Sequence, residues 1–100
     1  MSRYFLISDQ AFLDISEAGE WYDVHRPGLS VDFELCLEAG FEDIRSQPEG
    51  YQLKYREIRV RYIKRFPYGI HYLLEEDVIY VIAVFHTGKN PNSWAERLDQ

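Results

Sequence analysis

Apolar residues recur with two different periods along this chain, and the change between them divides it in half. Residues 3–7 form a short apolar run that reads as a strand, and Ser8 or Asp9 after it has the side chain to cap a helix. Ala11, Ile15, Ala18 and Tyr22 then repeat at helical spacing, with Asp14, Glu17, Glu20 and Asp23 outside that face. Arg26-Pro27-Gly28 breaks the pattern. A second helix follows, in which Leu29, Phe33, Leu37, Phe41 and Ile44 make the buried face and Glu34, Glu38 and Glu42 the wet one. Two antiparallel helices joined by so short a turn form a helical hairpin.

Past Ser46-Gln47-Pro48-Glu49-Gly50 the period falls to two. Ile58, Arg59, Val60, Arg61 and Tyr62 alternate apolar and polar, which predicts a strand with one wet face. Residues 68–74 predict a second strand, Glu75-Glu76-Asp77 a tight acidic turn, and residues 78–85 a third strand. That third strand is apolar nearly throughout, so it belongs inside the sheet, buried on both faces. A loop over 87–91 precedes a short last helix over 94–98, with Asn92 or Ser93 as its cap. The order β-α-α-β-β-β(-α) predicts an α+β fold: a helical hairpin packed on a small, mostly antiparallel sheet.

At 100 residues, 46 % hydrophobic and 28 % charged, the chain has the composition of one globular domain, 1–100. The lone Cys36 excludes an internal disulfide. The apolar run opening at Met1 is too short for a signal peptide, and no stretch approaches the roughly 20 apolar residues of a membrane span. The expectation is a soluble, cytoplasmic protein with no membrane partner.

Charge is distributed unevenly within the net −6. Residues 1–50 carry eleven acids against three bases, whereas residues 51–100 carry eight bases against six acids. Six of the eleven bases lie between Lys54 and Arg65. Such a stripe suits an anionic partner, and it would serve equally as a basic sheet edge that discourages edge-to-edge pairing.

Metal and nucleotide chemistry find little support. His25, His71 and His86 are scattered and lack spaced ligand partners, and the glycines form no phosphate loop. No metal and no cofactor are expected. A histidine pair can be tested by register. If Leu74 faces Val78 across the acidic turn, His71 faces Val81 and His86 faces Phe66. The histidines then lie five residues apart, roughly 16 Å, on opposite faces. The same register puts His86 near Arg65, with Lys89 in the next loop. The candidate catalytic cluster is therefore Arg59, Arg61, Arg65, His86 and Lys89, in which cationic groups hold phosphate and only His86 or a perturbed Lys89 serves as a base. Tyr62, Tyr68 and Trp94 are the candidates to stack on unpaired bases of a substrate.

Several segments carry a resemblance. They are Ala18-Gly19-Glu20-Trp21-Tyr22, Arg26-Pro27-Gly28-Leu29-Ser30-Val31-Asp32-Phe33 and Gln47-Pro48-Glu49. They continue with Arg65-Phe66-Pro67-Tyr68-Gly69-Ile70-His71-Tyr72, then 81–91 and Trp94. In this order and spacing the chain resembles the RelE/ParE superfamily of type II toxin–antitoxin toxins, most closely the subgroup often labelled plasmid stabilisation proteins. The resemblance implies a growth-inhibiting toxin neutralised by a cognate antitoxin. RelE-like members cleave messenger RNA on the ribosome, and that activity as an mRNA interferase is the expected one. ParE-like members instead poison DNA gyrase without a nuclease site, and a non-toxic antitoxin-binding relic is the remaining alternative. The RelE-like lysine pair aligns with Arg59 and Arg61 after one insertion, and its later basic residue and terminal tyrosine match Lys89 and Trp94. The arginine of its next strand falls on Gly69, a departure from the pattern.

Overall fold

The computed structural model describes residues 3–99; Met1, Ser2 and Gln100 lie outside the described residues, so the run read from Met1 is seen only from Arg3. A strand β1 (Tyr4–Ile7) leads into α1 (Asp9–His25). Ser8 caps α1, its hydroxyl oxygen accepting from the Ala11 amide at 3.0 Å. Gly28, at φ 89°, supplies the left-handed turn before α2 (Leu29–Ser46) but has no side chain to cap it. Asp23 of α1 takes that role, accepting from the Ser30 amide at 2.9 Å and the Ser30 hydroxyl at 2.8 Å. These bonds hold the Asp23 carboxyl below its usual range.

Five strands make one mixed sheet: β1, then β2 (Leu53–Tyr55), β3 (Ile58–Tyr62), β4 (Tyr68–Leu74) and β5 (Val78–His86). Their spatial order is β1-β5-β4-β3-β2, with β1 parallel to β5 and the other pairs antiparallel. The helical hairpin covers one face. Phe33, Leu37, Phe41 and Ile44 of α2 are buried there with Ala11, Ala18 and Tyr22 of α1, as the spacing predicts, and they pack on Ile70, Tyr72, Val81 and Val84. Strand β2 is an addition to the predicted order. Its three residues show no period, and it returns into β3 through Arg56, which adopts φ 47°.

The β4–β5 register corrects the sequence-based pairing. Leu74 faces Ile79 and Tyr72 faces Val81, but His71 faces Ala83 and Tyr68 faces His86. Ile82 is the extra residue of a bulge, so Ile82 and Ala83 both turn to the face away from the helices. A run of apolar residues carries no alternation, so parity could not reveal the slip. His71 and His86 are consequently three residues apart along the ladder, roughly 10 Å, and still on opposite faces.

The second face of the sheet, formed by Ile58, Ile82, Ala83 and Phe85, is covered by Trp94 and Leu98. These belong to α3 (Pro91–Trp94) and the 3-10 turn that continues it (Ala95–Asp99). Asn90, rather than Asn92 or Ser93, is the cap: its side chain accepts from the Asn92 amide at 2.9 Å, and Pro91 opens the helix. Because β1 pairs with β5 only as far as Val81, the backbone beyond is open on that side. Asp14 accepts from the Val84 amide at 3.0 Å, and Arg97 donates to the Ile82 carbonyl at 2.9 Å. The two side chains also pair with each other at 3.0 and 3.1 Å, fastening the C-terminal segment to α1.

Candidate functional site

Arg59 and Arg61 stand two residues apart on β3, opposite Tyr72 and Ile70, and so share the helix-side face. Both are engaged by the chain itself. Arg59 donates to the carbonyls of Tyr51 at 2.7 Å and Glu49 at 3.4 Å. Arg61 donates to the Asp43 carboxylate of α2 at 2.7 Å and to the Tyr62 carbonyl, with its guanidinium over the Tyr51 ring. Its side chain is only 17 % exposed, and its Nε is buried without a partner. The hydrogen bond it donates to Asp43 raises its pKa further above an already high value.

Arg65 lies in the turn between β3 and β4 at φ 72°, its guanidinium 3.5 Å from Asp32 of α2 and over the Phe66 ring. His86 ends β5. Its Nδ1 accepts from the Gly88 amide at 2.8 Å, which places the proton of the neutral ring on Nε2. The ring meets Tyr68 edge-on, centroids 5.3 Å apart, and Lys89 holds its Nζ 5.0 Å from the Phe85 ring.

The structure thus divides the sequence-predicted cluster. His86, Lys89 and Tyr68 line one cleft of about 710 Å³. Arg59 and Arg61 lie on the same face, but by strand spacing Arg61 is roughly 12 Å from His86 and turned to α2. Tyr62 is exposed beside Lys54 on the far side of Gly69. Trp94 packs on the opposite face of the sheet, 5.0 Å from His71 and 5.4 Å from Tyr55. Gly69 is closely enclosed: a Cβ there would meet Val60 Cγ1 at 2.8 Å, so this packing has no room for the arginine of the RelE-like pattern.

The other wall of the cleft comes from α1, through Asp14, Glu17, Trp21 and Tyr22. Sequence reasoning placed the acids outside the core and gave none of the four a role in chemistry. The available signal was that Asp14, Glu17 and Trp21 are spaced for one helix face. Burial raises the Tyr68 hydroxyl pKa, and burial together with the neighbouring Tyr68 raises that of Tyr22. Both phenols therefore stay neutral at physiological pH. Among the described residues no group of three His, Cys, Asp or Glu is placed to hold a metal, and no helix is long and apolar enough to cross a membrane.

Against known proteins, residues 5–91 match a family model described as the ParE toxin of the type II toxin–antitoxin system, parDE. Among solved structures, the fold is similar to that of a chain from the chromosomal ParDE TA system of P. aeruginosa. The TM-score is 0.76 at 10 % sequence identity, over 85 % of this chain and 96 % of that one. No curated protein sequence matches. Trp94, Arg97 and Leu98 lie beyond the span that the family model matches.

Proposed function

This chain belongs to the ParE toxin family of type II toxin–antitoxin systems, and from that premise we propose that it arrests growth by binding a protein target, DNA gyrase, rather than by cutting RNA. Membership of a toxin–antitoxin family implies a cognate antitoxin as its neutralising partner. Either target, gyrase or ribosome-bound messenger, places the toxin in the cytoplasm.

The observation that supports binding over cleavage is the state of the arginines. A guanidinium that stabilises a phosphorane-like transition state must have donors aimed at the reacting phosphate. Arg61 has its donors on Asp43 and a carbonyl, and Arg59 on two carbonyls. A phosphate would have to displace a carboxylate 2.7 Å away before Arg61 could serve it. The net charge of −6 adds repulsion from RNA.

Inducing the protein while following plasmid topology and transcript integrity tests this reading. Loss of normal supercoiling with intact messenger RNA is expected. Fragmented messenger RNA with unchanged topology would overturn it.

One feature favours the second reading, ribosome-associated cleavage as an mRNA interferase. His86 presents its imidazole beside Tyr68, and Lys89 lines the same cleft, a histidine and a cation in one place. On that reading His86→Ala slows cleavage by roughly 10²–10⁴-fold, with Lys89 binding phosphate.

A further inference from the structure

We infer that the cleft between α1 and the β4–β5 end is a dipolar peptide-binding site, which grips a partner-protein segment through a basic side chain and a neighbouring acidic one. The inference rests on the proposed reading that this toxin acts by binding a protein.

Three observations carry it. The first is shape and wall chemistry: the cleft holds about 710 Å³, in the range that accommodates a ligand or a few side chains, and aromatic rings line it. Trp21 stacks one face of its indole on His25, centroids 3.9 Å apart, and still remains 56 % exposed. The second is the state of the charges. Asp14 is neutralised by Arg97 and bonded to the Val84 amide, so it has little left to offer a ligand. Glu17, four residues before Trp21 on the same helix, has no ion-pair or hydrogen-bond partner among the described residues. Across the cleft the Lys89 ammonium lies over the Phe85 ring and is paired with no acid among the described residues. One wall therefore offers a carboxylate and an indole, and the other an ammonium and an imidazole. A guanidinium or ammonium of the partner stacks on Trp21 and pairs with Glu17, while a carboxylate meets Lys89.

The third observation is what the cleft disfavours. A nucleic-acid strand brings phosphates past Glu17 and Glu20 of α1, within a half of the chain that holds eleven acids. The sign of the Glu17 effect separates the two occupants. Removing its charge weakens a basic-peptide site and strengthens a phosphate site.

The test uses the full chain carrying Glu17→Lys, Lys89→Glu or Trp21→Ala, all at exposed positions, induced in cells with transcript integrity and plasmid topology followed together. Each variant is expected to lose growth inhibition at least tenfold while keeping its melting temperature. In vitro, the dipeptide N-acetyl-Arg-Glu-amide should shift the Trp21 indole and His86 ring resonances of the wild type and not those of Glu17→Lys. Adenosine 5′-monophosphate should shift neither. A Glu17→Lys protein that stays fully toxic, with transcripts intact and topology altered, overturns the cleft assignment and leaves the protein-target reading standing. A Glu17→Lys protein with heightened toxicity and cleaved transcripts overturns both, and assigns the cleft to RNA.

Discussion

His71 sits in the middle of β4 with 1 % of its surface exposed, the one buried side chain of its kind among the described residues. Its Nδ1 meets the Tyr55 hydroxyl at 2.9 Å, and the rings of Phe85 and Trp94 lie 5.0 Å away. Burial, with the Arg97 charge adding to it, lowers its pKa from 6.5 to about 4. The unfolded chain therefore takes up a proton near pH 6.5 that the folded chain refuses until about pH 4. Stability is unaffected by this group above the higher value and is lost as pH falls toward the lower one. Each pH unit in that window costs about 1.4 kcal/mol, so the full penalty approaches about 3 kcal/mol. For a domain of this size, whose total stability is of the order of 5–15 kcal/mol, that is a large share. Urea denaturation of the wild type at pH 7.5 and 4.5, beside His71→Gln, isolates the effect. The glutamine keeps an acceptor for Tyr55 and does not titrate, while every other ionisable side chain is common to the two proteins. The wild type should lose about 2–3 kcal/mol more than the variant on acidification. Equal losses in the two proteins would refute the argument.

Three further outcomes are expected. Phe33→Ala or Phe41→Ala, at buried positions of α2, should cost about 3–5 kcal/mol in chemical denaturation; an unchanged midpoint would mean the helix face is misassigned. Breaking the Arg97–Asp14 pair, in which each side chain is 16 % exposed, should cost about 3 kcal/mol by either Arg97→Ala or Asp14→Ala. The double variant should cost clearly less than the two losses added, and additivity would deny the coupling. Gly69→Ala should destabilise by about 1–3 kcal/mol in a thermal melt, because its methyl would lie 2.8 Å from Val60 Cγ1; a neutral result would show that Val60 and Tyr62 yield freely.

Some of this molecule is written into neighbouring residues. The buried faces of α1 and α2, the Ser8 cap, the break at Pro27-Gly28 and the strands β3, β4 and β5 follow from spacings of a few residues. Local sterics and the 3.6- and 2-residue periods decide them before any tertiary contact forms. The family resemblance was legible for the same reason, being carried by short segments in a fixed order. Other features depend on what lies opposite in space. The Ile82 bulge hides in an unbroken apolar run; together with the one-residue offset at the turn, where Leu74 faces Ile79 and not Val78, it moves the partner of His86 from Phe66 to Tyr68. β2 exists only because β3 offers it an edge. The candidate site shows the same division most clearly. Sequence supplied the arginines and the histidine, but a charge pattern does not say which carboxylate will claim which cation. Arg61 finds Asp43 eighteen residues away, and Arg97 finds Asp14 across 83. These pairings arise when the hairpin docks on the sheet and the C-terminal segment closes over its other face. Docking and closure determine which charges remain available to a partner: Lys89 on one wall of the cleft, and on the other a glutamate that the sequence had marked only as solvent-facing.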